Sequence, residues 1–291
     1  MHAIEKITNK VREISLGSRQ NLVTLLHKPN RLTNPFDQTI LDDLRKEGVH
    51  MTSVERLFGE ASEHIMNTLR CASSSLDIAD ELHLPSHLQR MTSSVDLLSS
   101  HILSEYPELY LLGLSQRILD LVDNYLKLPA AYHGVALRRS LVDGREEGPR
   151  LWHLDGEDFH VFRIVIYLTD VAEGGGPFEY IPRSYDLTYK DLKTIDSRIK
   201  SADMLKVVPK NVIRQCYGKA GTVILCDTGT TFHHEKLQTA QARSVAMFGF
   251  SSRIPSNLQL AKRHFPVEAL KEELKQLLSP IQIPYVFGWR G

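Results

Sequence analysis

The chain has little cysteine: three in 291 residues (Cys71, Cys216 and Cys226), with no Cys-x-x-Cys spacing. That excludes a disulfide framework and suggests a reducing compartment, so a cytoplasmic location is expected. Net charge is also absent, 35 basic side chains offsetting 35 acidic ones. A protein built to grip nucleic acid or an anionic membrane needs a basic surface, so neither partner is expected. No apolar run reaches the roughly 18 residues of a membrane span. The opening Met1-His2-Ala3-Ile4-Glu5-Lys6 lacks the apolar stretch of a secretory signal. Three familiar chemical motifs are missing as well. There is no Gly-x-Ser-x-Gly elbow, and Gly174-Gly175-Gly176 is not followed by the Lys-Ser/Thr of a phosphate loop. His234-Glu235-Lys236-Leu237-Gln238 has no second histidine where a metalloprotease needs one.

What is present is an ordinary globular composition, 42% hydrophobic and 24% charged, long enough to bury a core without staples. One catalytic domain over 1–291 is expected, in four stretches. Residues 1–37 are a polar arm broken by Pro29 and Pro35, with a helix around Lys10 to Leu26. Residues 38–129 read as mostly helical support: Gln38 to Lys46, Val54 to about Cys71, and Leu114 to Leu126 carry apolar residues at helical spacing. His50 to Thr52 is a short strand, and the Ser-rich stretch Ala72 to Ser100 has no clear pattern. After Pro129 the texture becomes β-branched and aromatic. Tyr132–Val142, Val161–Thr169, Phe178–Ile181, Thr222–Asp227 and Val245–Phe250 are strand-like, with turn formers between them. Residues 130–254 therefore form the β core, and 255–291 hold a helix from Glu268 to Leu278 and a tail. Helices first and strands second, with little alternation, argue for an antiparallel sandwich or barrel buttressed by helices.

The residues that carry chemistry start with Trp152-His153-Leu154-Asp155-Gly156. In an extended segment, positions two apart face the same side, so His153 and Asp155 can share one metal ion. Further on, the strand Gly221 to Asp227 runs through Thr228-Gly229-Thr230-Thr231-Phe232 into His233-His234, and Arg243 opens the next strand. If those two strands lie antiparallel, His233 and Arg243 come together. Two histidines and one carboxylate with open positions form the facial triad of non-haem Fe(II) oxygenases. An arginine beside it offers a planar fork for a carboxylate. Arg138 and Ser140 point one way from their strand and Arg139 the other, so one of the arginines is a candidate for the same carboxylate. Arg163 and Tyr167 share a strand face that can line the barrel. Thr228, Thr230 and Thr231 lead into the histidines and either shape a turn or hydrogen-bond a cosubstrate.

In order and spacing, these pieces resemble the phytanoyl-CoA dioxygenase-like family of Fe(II)/2-oxoglutarate-dependent oxygenases. The resemblance spans roughly Gln38 to Arg253. Beyond the segments already quoted, it includes Leu41 to Gly48, Ile166-Tyr167-Leu168-Thr169-Asp170-Val171 and Gly176 to Ser184. It implies a mainly β protein with flanking helices around a double-stranded β-helix (jelly-roll, cupin-like) core. It implies Fe(II) held by His153, Asp155 and His233, and 2-oxoglutarate held by Arg243; the residues themselves add Arg138 and Thr230 as candidate further contacts. The implied reaction uses O2, converts 2-oxoglutarate to succinate and CO2, and oxidises a C–H bond of a small molecule. The carboxylate of Asp155 favours hydroxylation over halogenation, since related halogenases have a small residue there. Two features depart from the family. His233 is followed by His234-Glu235 where Arg-Gly is usual, so either histidine can be the third ligand, with the spacing to Arg243 favouring His233. Pro182-Arg183-Ser184-Tyr185 replaces Pro-Gly-Ser-His. The alternatives are a zinc or manganese cupin-type enzyme of other chemistry, or a non-catalytic member of the fold.

Overall fold

The computed structural model describes residues 15–81, 94–192 and 197–290. Nine strands form its frame: β1 (Val49–Ser53), β2 (Ser94–Asp96), β3 (Ala130–Ser140), β4 (Phe162–Tyr167), β5 (Phe178–Tyr180), β6 (Arg214–Cys216), β7 (Thr222–Asp227), β8 (His233–Glu235) and β9 (Arg243–Ser252). A six-stranded sheet runs β1-β7-β4-β9-β3-β2, and a three-stranded sheet runs β6-β5-β8. All pairings within them are antiparallel. The expected β core with flanking helices, a cupin-type jelly roll, is therefore the fold observed. The helical first half is not only support: it supplies β1 and β2, the two edges of the large sheet.

Period-two alternation explains which face is which. Phe162, Ile164 and Ile166 of β4, Val223 and Leu225 of β7, and Ala246, Phe248 and Phe250 of β9 are buried in the core shared with the helices. Their neighbours point the other way. Val165, Tyr167, Ile224, Cys226 and Val245 join Phe178 and Cys216 of the small sheet in a second core between the sheets. The helix Gln116–Leu126 lies on the outer face, with Ile118, Leu119, Leu121, Val122, Tyr125 and Leu126 buried. The helix Pro35–Glu47 starts where the Asn34 side chain accepts from Phe36 N, and ends at Gly48, whose φ of 82° needs glycine.

Several boundaries differ from the sequence expectation. The helix expected from Val54 to Cys71 is two helices, Val54–Phe58 and Ser62–Glu81, separated at Gly59. The second continues through the Ser-rich stretch, because Ala72 and Leu76 are fully buried against the core; packing outweighs the modest helix propensity of serine. Residues 82–93 lie outside the described ones, as do residues 10–14 of the helix expected around Lys10 to Leu26. The rest of that helix, over 15–26, is docked: the Gln20 amide donates to Asp158, Ser252 and the Ile254 carbonyl.

β3 carries the irregularity that matters for the site. Its register against β9 shifts between Tyr132 and Gly134, which places His133 in a bulge. Bulges re-aim side chains beside functional sites. Gly134 follows with φ 103°, and a Cβ there would sit 2.5 Å from Phe265 Cβ. We expect Gly134→Ala to cost about 2–4 kcal/mol through strain and overpacking. Chemical denaturation checks this; a change below about 0.5 kcal/mol would show that the bulge is not held in this form.

Candidate metal centre

His153 and His233 approach through an isolated antiparallel bridge. His153 N donates to His233 O at 3.0 Å, and His233 N donates to His153 O at 3.1 Å. Their rings lie 4.3 Å apart between centroids. Asp155 N donates to Thr228 O at 2.8 Å, which turns its carboxylate to the same side. Ligand-type atoms of His153, Asp155 and His233 all fall within 4.8 Å of one another.

The protonation pattern suits a cation. His153 Nδ1 donates to Leu151 O at 2.7 Å and His233 Nδ1 to Thr231 O at 3.0 Å, so both Nε2 lone pairs face inward. His153 Nε2 is 3.5 Å from Asp155 Oδ1. The other carboxylate oxygen, Oδ2, accepts from the Thr228 hydroxyl at 2.7 Å and from Arg163 Nε at 3.2 Å. Burial pushes the Asp155 carboxyl up, but the Arg163 guanidinium beside it overcomes this and holds it well below the usual carboxylate range. Burial, aided by the neighbouring His153, lowers His233 to about 3, so its imidazole is neutral.

His234 is not part of this group. Alternation along β8 turns it to the opposite face, where Nδ1 donates to Arg150 O at 2.9 Å and Nε2 meets Glu179 Oε2 at 2.8 Å. Its ring stacks on Trp152 at 3.9 Å. Both nitrogens are committed to oxygen atoms, Arg150 O and Glu179 Oε2, and not to the His153–Asp155 pair. Of the two adjacent histidines, His233 is the one that converges with His153 and Asp155.

The His234 pair carries a pH prediction. Burial raises the Glu179 carboxyl, but His234, Gln215 and Lys236 overcome this and bring it to about 2. A carboxyl depressed in the folded state contributes stability that is present above its unfolded pKa of about 4.3 and lost as pH falls towards about 2. Melting temperature should therefore fall across that window, and less steeply in Glu179→Gln. Parallel curves for the two proteins would contradict the assignment.

The triad opens on a cavity of about 730 Å³ that Arg243, Arg138, Arg163, Glu235, Val245 and Met247 also line. Arg243 arrives differently from expected. β8 pairs with β5, whereas β9 pairs with β3 and β4, so the two strands face each other from separate sheets and do not form one ladder. Arg243 Nη1 donates to Gly176 O at 2.5 Å, and Nη2 pairs with Glu235 Oε2 at 2.5 Å. Its Nε is buried without a partner. Arg138 Nε pairs with Asp96 Oδ1 at 2.7 Å on the same cavity wall.

Thr230, expected to touch the cosubstrate, does not line this cavity. Its hydroxyl donates to Asp227 Oδ2 at 2.8 Å and also accepts from Arg183. Asp227 is fully buried and also gathers Tyr125 and His160. Thr230 and Arg183 are therefore parts of a polar anchor on the helix side of β7. Thr228 is the threonine that serves the site, through Asp155.

Reading the sequence missed four participants. Glu235 sits two residues after His233, a visible clue in an extended strand. His133, Glu157 and His264 bring ligand-type atoms within 4.8 Å of one another, and nothing in the sequence spacing signals it. Arg163 ion-pairs with Glu157, and its Nη2 lies 3.4 Å from His264 Nε2. A metal cation there would face a guanidinium at contact distance, so this cluster is a hydrogen-bonding wall. The Ser251 hydroxyl donates to Ser252 O at 3.1 Å, so it must accept from His133 Nε2 at 2.9 Å. His133 Nδ1 is left as a buried, unpartnered acceptor on a residue that lines the cavity.

No protein-family model matches the chain, and no curated protein matches it. Solved structures do resemble it. EctD from S. alaskensis with bound Fe aligns with a TM-score of 0.54 at 18% identity, over 78% of this chain and 80% of that one. EctD with 2-oxoglutarate and 5-hydroxyectoine aligns with a TM-score of 0.52 at 18% identity, over 78% and 79%. HygX from Streptomyces hygroscopicus with nickel and 2-oxoglutarate bound aligns with a TM-score of 0.53 at 14% identity, over 77% and 88%. At these identities the likeness is one of fold. Among the described residues, no helix is long and apolar enough to cross a membrane.

Proposed function

We propose that this protein is an Fe(II)/2-oxoglutarate-dependent dioxygenase of the phytanoyl-CoA dioxygenase-like kind that hydroxylates a C–H bond of a small organic metabolite. The observation that carries the reading is the convergence of His153 Nε2, His233 Nε2 and Asp155 Oδ1, with both Nδ1 atoms held by carbonyls, beside a buried arginine with an unpartnered donor. EctD and HygX, similar in fold, have been solved with iron or nickel and with 2-oxoglutarate. His153, Asp155 and His233 would hold the iron, a donor set that suits Fe(II) and leaves positions open. Arg243 would take the distal carboxylate of 2-oxoglutarate through its free Nε, and Arg138 adds positive charge to the same wall.

Iron held by these three residues would supply O2 activation, with one oxygen atom going to succinate, the other to the substrate hydroxyl, and CO2 leaving. This chain's residues do the rest. Thr228 and Arg163 fix the Asp155 carboxylate, Leu151 and Thr231 carbonyls fix the two rings, and the inter-sheet core around Val165, Tyr167 and Phe178 keeps water out. His133 Nδ1 needs a donor, so the substrate would bring an O–H or N–H group to that wall. The reading is tested by succinate formation in air with Fe(II), 2-oxoglutarate and a small-metabolite library. Succinate that requires both iron and O2 is expected. Binding of a divalent metal without any binding of 2-oxoglutarate would favour a cupin-type enzyme of other chemistry.

A further inference from the structure

Inside the cavity, a carboxylate of the chain itself already engages Arg243, the residue proposed above to hold the cosubstrate. Glu235 and His233 are two apart on β8, so both face the cavity. Glu235 Oε2 lies 2.5 Å from Arg243 Nη2. Its Oε1 accepts from the Gln238 amide and lies 3.7 Å from Arg150 Nε. Glu235 and Arg243 are each only 6% exposed, so solvent screens this pair little. The pair is already neutral. An incoming diacid therefore finds its guanidinium compensated, and bringing a second carboxylate beside Glu235 sets two like charges against each other in a buried space.

We infer that Glu235 is a specificity-determining residue that competes with the distal carboxylate of 2-oxoglutarate for Arg243 and so sets how tightly the cosubstrate binds. The inference rests on the dioxygenase reading. Glu235 touches neither Asp155 nor the histidines in the contacts above, so its effect is on the distal end of the 2-oxo acid. The end that carries the keto group should not feel it. Pyruvate, a 2-oxo acid with no second carboxylate, is thus an internal control.

Calorimetric titration of Ni(II)-loaded protein with 2-oxoglutarate and, separately, with pyruvate tests this without turnover. Glu235→Gln should bind 2-oxoglutarate about tenfold more tightly than the unaltered protein, with pyruvate affinity changed less than about twofold. Glu235→Ala, which removes bulk as well as charge, is a second variant in case the glutamine disturbs folding; melting curves show which variants are intact. Equal 2-oxoglutarate affinity in the unaltered and substituted proteins, or weaker binding in both variants, would overturn the competition while leaving the dioxygenase reading standing. Tighter binding of both acids together would also overturn it. Absence of 2-oxoglutarate binding in every protein would remove the dioxygenase reading and this inference with it.

Discussion

His233→Ala protein should lose its divalent ion, with affinity falling by more than about 100-fold, whereas His234→Ala should keep it. Loss of an outer partner of a ligand costs roughly 10–100-fold in metal affinity, so loss of a ligand itself must cost more. The two histidines are neighbours in sequence, but a strand sends them to opposite faces. His233 Nε2 faces His153 and Asp155, while His234 is fastened between the Arg150 carbonyl and Glu179. His234→Ala removes a ring stacked on Trp152 at 3.9 Å and should lower stability without emptying the centre. Metal content after dialysis, read alongside melting curves, separates the two effects. Metal retention in His233→Ala, or its loss in a folded His234→Ala, would reverse the assignment.

The second large effect is expected at Arg163. Its guanidinium pairs with Asp155 and Glu157, and its side chain is 14% exposed. Removing one partner from a buried ion pair leaves an uncompensated charge and costs about 3–5 kcal/mol. Arg163→Met should therefore lower the melting temperature by about 10 °C for a chain of this size. It should also loosen metal binding, since Asp155 Oδ2 would keep only Thr228. A gentler perturbation acts on the same group. A Cβ at Gly249 would lie 2.1 Å from Arg163 Nη1, so Gly249→Ala should displace the guanidinium and shift both properties in the same direction. A melting temperature within about 2 °C of the unaltered protein in Arg163→Met would show that the two carboxylates do not depend on this residue.

Much of this arrangement was legible beforehand, for local reasons. β4 and β9 announce themselves by alternation, because one face packs on helices and the other on the small sheet. His153 and Asp155 share a face in any extended chain, which is why the pair could be singled out. The preference for His233 over His234 rested only on its spacing to Arg243, since the two differ in which face of β8 they take, and a three-residue strand has too short a pattern to show which face looks inward. Thr230 was misplaced because its partner, Asp227, belongs to a buried polar anchor assembled from Tyr125, His160 and Arg183. Those residues lie far apart in sequence and carry no shared spacing. The Glu235–Arg243 pair was hidden for a related reason: its members come from different sheets. His133 was missed because a bulge, not the strand's own alternation, sets where its ring points.

A crystal structure of the protein loaded with Fe(II) under anaerobic conditions should show one ion within about 2.0–2.2 Å of His153 Nε2, His233 Nε2 and an Asp155 carboxylate oxygen, distances usual for such ligands. An ion bound instead by His234, or held among His133, Glu157 and His264, would contradict it.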